Sequence, residues 1–315
     1  MSIQIDCHGD SHVGNYRPAN EDQFLIADLN KSMRVYQTSL GLSHQTRLFG
    51  GSQGKLLLVA DGLGGHESGE RASTLAVDGV ANYILNTMDW MFRLNEQNEN
   101  DFRKHLVESF VHSQNMIDAE SKAIPQRRGM ATTLTMAYVD WPNVYVVHVG
   151  DTRCYLIRDG SIKCLTIDHT VGQLARNAAS ENEGGFKVDA ANQDTSQANP
   201  MNHALWNVVG GPDDSLEPQV SRVKLTTGDI LLLCSDGLTR YLPDQEILGL
   251  ATQEIRTAKQ ICEELIVLAN DRGGRDNITT VLAKFETGGT EPNCVQEEAS
   301  LPRSIDDTVE HFKMS

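Results

Sequence analysis

The stretch that decides the fold runs from Lys55 to His66 and reads KLLLVADGLGGH. Its five consecutive apolar residues, Leu56 to Ala60, are typical of a strand buried on both faces. Asp61 follows at the strand end, where a carboxylate on a rigid element is well placed to hold a cation. The glycines after it permit close backbone approach and positive φ. An isolated Asp-Gly pair is also a common surface turn, so this interpretation needs support from the rest of the chain.

The composition is that of a soluble globular protein. The chain has 315 residues, of which 39% are apolar and 22% are charged. It contains no apolar run of membrane-spanning length, and its first residues lack a signal-peptide pattern. Six scattered cysteines suit a reducing cytoplasm and form no zinc motif. These features together predict a cytoplasmic protein. Because the net charge is −16, we expect it to bind neither nucleic acid nor anionic membranes.

Sequence periodicity predicts a mixture of helices and strands. Apolar stripes predict helices over 67–88, 101–122 and 254–270. Apolar runs predict strands over 24–27, 56–60, 132–139, 144–149, 154–157, 162–165, 220–225, 230–234 and 278–285. Asp159-Gly160 predicts a tight hairpin between two of these strands, and residues 38–54 are predicted to be a surface loop.

Two further stretches have no clear periodicity. Residues 171–211 are polar, and a segment this long within a compact domain is usually functional or disordered. The chain from 287 onward is acidic and is expected to be a flexible tail. A docking helix is a minor alternative there, because Ile305, Val309 and Phe312 would share one helical face.

Acidic residues recur at the ends of the predicted strands. Asp61, Asp151, Asp236 and Asp276 each adjoin an apolar run, and Glu21-Asp22 precedes another. Carboxylates brought together repel one another strongly, and a bound cation would relieve that repulsion. Oxygen ligands without a histidine or cysteine companion favour Mg²⁺ or Mn²⁺ over zinc.

The residues before the first predicted strand have two interpretations. Arg17 to Asp22 could be an ordinary surface loop. They could equally provide metal-facing carboxylates and a phosphate-binding guanidinium, because the planar fork of arginine matches phosphate oxygens.

Six short motifs follow one another along the chain. They are Arg17-x-x-Asn20-Glu21-Asp22, Asp61-Gly62-x-Gly-Gly-His66, Gly129-x-Ala-Thr132-Thr133, Gly150-Asp151-Thr152-Arg153, Ser235-Asp236-Gly237 and Asp276-Asn277-x-Thr279. In this order they resemble the motifs of the metal-dependent protein serine/threonine phosphatases of type 2C. The resemblance extends from about residue 6 to residue 285, which is most of the chain.

This resemblance implies an α+β fold, a four-layer αββα sandwich with two central antiparallel sheets flanked by helices. It further implies a catalytic domain over residues 1–286 and a tail over 287–315. Residues 171–211 match the variable flap beside the active site in that family, where substrate choice would be determined.

The resemblance also assigns metal ligands. Asp61 would bridge two Mn²⁺ or Mg²⁺ ions, with the Gly62 carbonyl on one of them. Asp236 and Asp276 would complete the shell of the first ion. Asp151, together with Asp236, would hold a weaker third ion.

Other residues would act around the ions. Glu21 and Asp22 would act on metal-bound water, and Arg17 would bind the substrate phosphate. Asn277 would orient its loop. Some members of the family have a histidine directly after the Asp-Gly pair, where it can protonate the leaving alkoxide. This chain has Leu63 at that position, as in the bacterial branch. His66 is the nearest histidine that could replace it as proton donor, but its expected role is structural.

The predicted reaction is hydrolysis of phosphoserine or phosphothreonine in proteins by a water that bridges two metal ions. No covalent phosphoenzyme is expected, because the bridging water itself supplies the nucleophile. The expected partners are phosphoprotein substrates and a cognate serine/threonine kinase. A silent phosphoprotein-binding module and a hydrolase of small phosphoesters remain as alternatives.

Overall fold

Two antiparallel β-sheets form the centre of the molecule. The computed structural model describes residues 3–34, 47–65, 67–88, 98–182, 200–211, 216–253, 256–287 and 309–312. The strands are β1 (Ile3–His12), β2 (Asp22–Arg34), β3 (Arg47–Leu63), β4 (Ala131–Thr132), β5 (Leu134–Asp140), β6 (Asn143–Val149), β7 (Arg153–Arg158), β8 (Ser161–Cys164), β9 (Gln219–Lys224), β10 (Ile230–Cys234), β11 (Ile278–Thr287) and β12 (Val309–Phe312). The helices are α1 (Glu67–Asn86), α2 (Glu99–Ala123), α3 (Val171–Asn182), α4 (Asp236–Thr239), α5 (Asp244–Ala251) and α6 (Ala258–Asp271).

The strand order brings distant parts of the chain together. The five-stranded sheet has the order β1-β11-β10-β7-β8. The seven-stranded sheet has the order β12-β9-β6-β5-β3-β2, with β4 paired to β3. Strands β1 and β11, which are far apart in the sequence, are therefore neighbours in one sheet, paired from Ile3 opposite Thr287 to His12 opposite Ile278.

Strand β3 divides its side chains between two parts of the core. Leu57 and Val59 pack between the two sheets with residues of β7, β10 and β11. Leu56 and Leu58 point to the other face, where they pack against α1 and α2. All four side chains are at most 1% exposed. The predicted burial of this strand on both faces is therefore confirmed.

The outer face of the smaller sheet is covered by the other helices. Leu232 of β10 and Leu282 of β11 pack there with Ile247 of α5 and with Ile261 and Leu265 of α6. Helices, two sheets and helices thus form four layers. The predicted α+β class and αββα sandwich are confirmed.

Most predicted elements occur within a few residues of their predicted bounds. The third predicted helix begins at Ala258 rather than at residue 254, because Thr257 and Gln260 form a capping box. The predicted hairpin is present, with positive φ at Asp159 (49°) and Gly160 (73°).

The sequence does not predict β1, α3, α4 or α5, and it misplaces the start of β3. Strand β1 lies at a sheet edge, and the sequence reasoning missed its alternation of Ile3, Ile5 and Cys7 with polar residues. Helix α3 is exposed at residues 174–178, and the sequence reasoning missed its apolar residues at helical spacing, Val171, Leu174, Ala175 and Ala178. The predicted surface loop 38–54 is wrong for residues 47–54, which belong to β3, and residues 38–46 lie outside the described residues.

The end of the chain contributes an edge strand. Strand β12 pairs with β9, with Val309 opposite Val223 and Phe312 opposite Val220. These four residues are extended, so the alternative of a docking helix does not hold for them. The flexibility of the tail stays a prediction, since residues 288–308 and 313–315 lie outside the described ranges.

Helix length and hydropathy also bear on membrane insertion. Across the described ranges, no helix combines the length and apolar character that crossing a bilayer requires.

One buried ion pair links the hairpin β7–β8 to the start of β10, and its removal should strongly destabilise the fold. Arg158 and Asp229 are 4% and 1% exposed and pair through Nε–Oδ1 and Nη2–Oδ2 contacts of 2.8 and 2.6 Å. Arg158→Met leaves the carboxylate of Asp229 buried without its cation. We expect the free energy of unfolding in urea to fall by about 3–5 kcal/mol.

The matched control is Lys104→Met, which removes an exposed pair with Glu108 on α2. It should change the free energy of unfolding by less than about 1 kcal/mol. An equal effect of the two variants would show that the buried pair has no special role.

Candidate metal centre

The two sheets meet at a hydrogen-bonded carboxylate. Asp22, at the start of β2, lies directly opposite Asp61 of β3 in the larger sheet. Oδ2 of Asp22 accepts hydrogen bonds of 2.7 Å from Ser235 Oγ and Thr279 Oγ1, which belong to the smaller-sheet side of the molecule. The ends of β2, β3, β10 and β11 are therefore joined at one place.

The backbone of Asp61 is fixed on both sides of its carboxylate. Its amide donates to Thr133 Oγ1 at 3.0 Å. Its carbonyl accepts from the amide of Thr133 at 2.9 Å and from Thr132 Oγ1 at 2.8 Å. The strand end that carries the central acid is thus rigid.

Glycine is required in both Asp-Gly pairs because another backbone segment packs against it. A Cβ on Gly62 would lie 2.2 Å from the carbonyl oxygen of Gly69, and one on Gly237 would lie 2.0 Å from that of Asn277. Gly64 and Gly65 have φ of 127° and 76°. The turn therefore needs glycine for both close approach and positive φ.

Asn277 ties the N-terminal loop to the start of β11. Its Oδ1 accepts from the amide of Glu21 at 2.8 Å. Its Nδ2 donates to the carbonyls of Val13 and Ala19 at 2.9 and 3.0 Å. Ser73 of α1 donates to the carbonyl of Glu21 at 2.6 Å. These bonds are the ones expected of a residue that orients this loop.

Asp151 lies in the turn between β6 and β7. The preceding Gly150 has φ of 107° and packs against Thr133, so closely that a Cβ on this glycine would lie only 2.5 Å from Thr133 Cβ. The carbonyl of Gly150 accepts from the amide of His169 at 2.7 Å. The start of the 171–211 segment therefore adjoins the turn that carries Asp151.

Two arginines pair with the remaining acids. Arg17 holds Asp276 through Nε–Oδ1 and Nη2–Oδ2 contacts of 2.8 and 2.9 Å. Arg240 donates to Asp276 Oδ2 at 3.2 Å and also pairs with Asp236. The sequence reasoning singled out Arg17 but missed Arg240. A signal was available, because a residue four positions after Asp236 lies on the same helical face.

Burial and mutual repulsion disfavour the charged form of the acids. Desolvation raises the pKa of Asp22 to about 7, against the opposing effect of its bonds from Thr279 and Ser235. Desolvation, and then the charges of neighbouring acids, also raise the pKa of Asp61 and of Asp151. Desolvation also raises the pKa of Asp236, although the positive charge of Arg240 opposes the shift.

The donor set fits a hard divalent cation. Oδ1 of Asp22 and Oδ1 of Asp236 are buried without a hydrogen-bond partner among the described residues. Orphaned carboxylate oxygens are costly, and a cation would satisfy them. As placed, the acids of the described ranges do not form a group of three possible metal ligands. Asp236 and Asp276 are each paired with Arg240.

Comparison with known proteins decides the family. The family model described as protein phosphatase 2C matches residues 43–283, which is more than half of the chain. The chain belongs to the protein phosphatase 2C family. This confirms the predicted resemblance and the predicted enzyme class, a protein serine/threonine phosphatase.

The relatives of this 2C-family chain are similar over most of their length. It is 32% identical over 233 residues to the serine/threonine phosphatase stp of Listeria welshimeri, covering 73% of this chain and 84% of that protein. It is 32% identical over 238 residues to the protein phosphatase PhpP of Streptococcus pneumoniae, covering 73% and 85%. Both relatives are bacterial. This agrees with the bacterial branch that Leu63, in place of a histidine, indicates.

A solved relative contains metal. The catalytic domain of the phosphatase PstP in complex with two manganese ions is 25% identical, with a TM-score of 0.65, over 90% of this chain and all of that one (100%). In the present 2C-family chain, His66 lies outside the described residues. Its expected structural role therefore stays a prediction.

The buried Asp22 should make the metal-stripped protein sensitive to pH. Its folded pKa of about 7 lies above the ordinary value of about 3.8, so the folded state binds its proton more tightly than the unfolded state does. This group therefore stabilises the fold at low pH and loses that contribution as pH rises from about 4 to 7. Asp22→Asn, which is neutral, should show a smaller loss of melting temperature over that range.

The exposed Asp78→Asn of α1 is the control and should follow the wild-type curve. Melting temperatures between pH 4 and 8, measured in the presence of a chelator, give the comparison. Parallel curves for Asp22→Asn and the wild type would contradict the proposed burial cost.

Proposed function

We propose that this chain hydrolyses phosphoserine and phosphothreonine in proteins at a centre of two Mn²⁺ or Mg²⁺ ions. The observation that carries the proposal is the pair of buried, unpartnered carboxylate oxygens on Asp22 and Asp236. They lie where acids of both sheets converge in a member of a phosphatase family. Hard oxygen donors in this number suit Mn²⁺ or Mg²⁺.

The proposed ligands come from every segment that meets at this place. Asp61 and the carbonyl of Gly62 extend from β3, and Asp236 begins α4. When bound, the two ions would activate a water molecule for attack on phosphorus and neutralise the charge that develops there. The full proposed set is Glu21, Asp22, Asp61, Gly62, Asp151, Asp236 and Asp276.

The residues around the acids hold them in place. Ser235 and Thr279 donate to Oδ2 of Asp22, which leaves Oδ1 for the centre. Ser235 Oγ also accepts from the amide of Thr279 at 2.9 Å, so the ends of β10 and β11 stay in register. This preorganisation lowers the cost of gathering the ligands.

Arg17 is the proposed phosphate-binding residue. Its side chain is 48% exposed, whereas that of its partner Asp276 is 17% exposed. Its planar fork can bind two non-bridging phosphoryl oxygens once Asp276 is neutralised by a cation. Leu63 cannot donate a proton, so solvent is the proposed proton donor to the leaving alkoxide.

The remaining assignments are the cellular location, the substrate-selecting segment and the partner of the enzyme. A cytoplasmic location is supported by five free thiols among the described cysteines, at Cys7, Cys154, Cys164, Cys234 and Cys262. The 171–211 segment, whose start adjoins the Asp151 turn, is the proposed substrate-selecting flap. A cognate serine/threonine kinase is the proposed partner in signalling, because a phosphoprotein substrate requires one.

The reaction should require a divalent ion and Asp236. Metal-stripped protein should release phosphate from a phosphothreonine peptide only after Mn²⁺ is added. Asp236→Asn should lower kcat/KM by more than about 100-fold, because it removes a charged ligand from the centre. The control Asp271→Asn removes an exposed acid at the end of α6 and should retain the wild-type rate.

Two outcomes would overturn the proposal. Absence of phosphate release by folded protein with any divalent ion would favour a silent binding module. Faster hydrolysis of a sugar phosphate or nucleotide than of the phosphopeptide would favour a small-phosphoester hydrolase.

Arg17 should contribute to substrate binding more than to stability. Arg17→Ala removes a charged fork, so we expect kcat/KM for the phosphopeptide to fall by about 10- to 100-fold. Arg17→Lys should recover part of the loss, because a point charge lacks the bidentate geometry. A similar loss with an uncharged ester substrate would contradict phosphate binding by this residue.

A further inference from the structure

Arg240 lies among the acids of the centre and contacts two of them. It follows the short helix α4, and its amide donates to the carbonyl of Asp236 at 2.9 Å. Nη1 donates to Asp276 Oδ2 at 3.2 Å, and Nη2 pairs with Asp236 Oδ2. One guanidinium therefore bridges a carboxylate at the start of α4 and one in the loop before β11.

This bridge differs from the contact made by Arg17. Among the ion pairs of the described residues, Arg17 contacts Asp276 alone, whereas Arg240 joins Asp276 to Asp236. Asp236 keeps one oxygen without a partner among those residues, and its other oxygen is the one that Arg240 holds. The positive charge of Arg240 thus lies beside the carboxylates that a divalent cation would need.

The surroundings of Arg240 favour a cation. Burial works against its charge, but the charges of Asp236, Asp276, Asp151 and Asp61 outweigh that effect, so its pKa is raised. The side chain is nevertheless 44% exposed, in contrast to 12% for Asp236. A long, partly exposed side chain can turn into solvent without disturbing the core.

We propose that Arg240 is an internal counter-ion that competes with a divalent cation for Asp236 and Asp276. It neutralises these acids in the metal-free protein and must leave them, wholly or in part, when the cation binds. Arg240 thereby lowers the affinity of the centre for metal and stabilises the metal-free fold. This inference rests on the proposed function, because it concerns ions at the same centre.

Mn²⁺ binding to the stripped protein tests the competition directly. Isothermal titration calorimetry should give a dissociation constant about tenfold lower for Arg240→Met than for the wild type, since a charged hydrogen-bonded pair no longer has to be broken. Arg240→Lys should lie between them, because it keeps the charge but cannot bridge two carboxylates through a fork.

A matched control separates direct competition from a change in net charge. Arg272→Met also removes one positive charge, but Arg272 pairs with Glu246 and donates to the carbonyl of Tyr241. Its Mn²⁺ affinity should stay within about twofold of the wild type, because Debye screening weakens a charge that does not contact the ligands.

Thermal melting provides a second readout that does not depend on activity. In the presence of a chelator, Arg240→Met should melt below both the wild type and Arg272→Met, because its acids lack a counter-ion. Saturating Mn²⁺ should raise its melting temperature by more than that of the wild type, as tighter binding requires. If Arg240→Met does not fold without metal, Arg240→Lys supplies the same comparison.

The results distinguish this inference from the proposed function. Wild-type binding with an unchanged or weaker affinity in both Arg240 variants would overturn the competition alone. An equal gain in Arg272→Met would show that only net charge matters, and would also overturn it. Failure of every protein to bind Mn²⁺ or Mg²⁺ would overturn the metal centre itself and the competition with it.

Discussion

The convergence of carboxylates from both sheets is the constraint on which the rest of the structure depends. Buried acids at close range raise one another's pKa and cannot all be charged without a cation. The chain meets this requirement by hydrogen bonds to Asp22 and by guanidinium groups on Asp236 and Asp276. The same requirement makes the place suited to divalent ions.

The sandwich is what makes that convergence possible. Leu57 and Val59 of β3 face the smaller sheet, so the two sheets pack closely and their strand ends lie side by side. Gly62 and Gly237 then allow neighbouring backbone segments to approach within distances that no Cβ permits. A rigid core thereby places acids from separate loops near one another.

The pattern of an apolar strand followed by Asp-Gly was sufficient to predict much of the fold and the candidate acids. Burial on both faces of β3 and the position of Asp61 at its end are local properties of consecutive residues. Strand β1 and helix α3 lack an apolar run of that kind and were missed, although β1 alternates apolar and polar residues and α3 has apolar residues at helical spacing. Both lie at the margin of the core, since β1 is only partly buried and α3 is largely exposed.

The sequence by itself determined which residues carry oxygen donors and which strands end beside them, since both follow from residue type and spacing. Only the tertiary structure decided which groups satisfy these donors. Ser235 and Thr279 bind Asp22 from more than 200 positions away in the sequence, with separations of 213 and 257. Arg240 reaches Asp276 because the end of α4 packs beside the loop before β11. Such contacts arise from packing between distant segments, which no local pattern encodes.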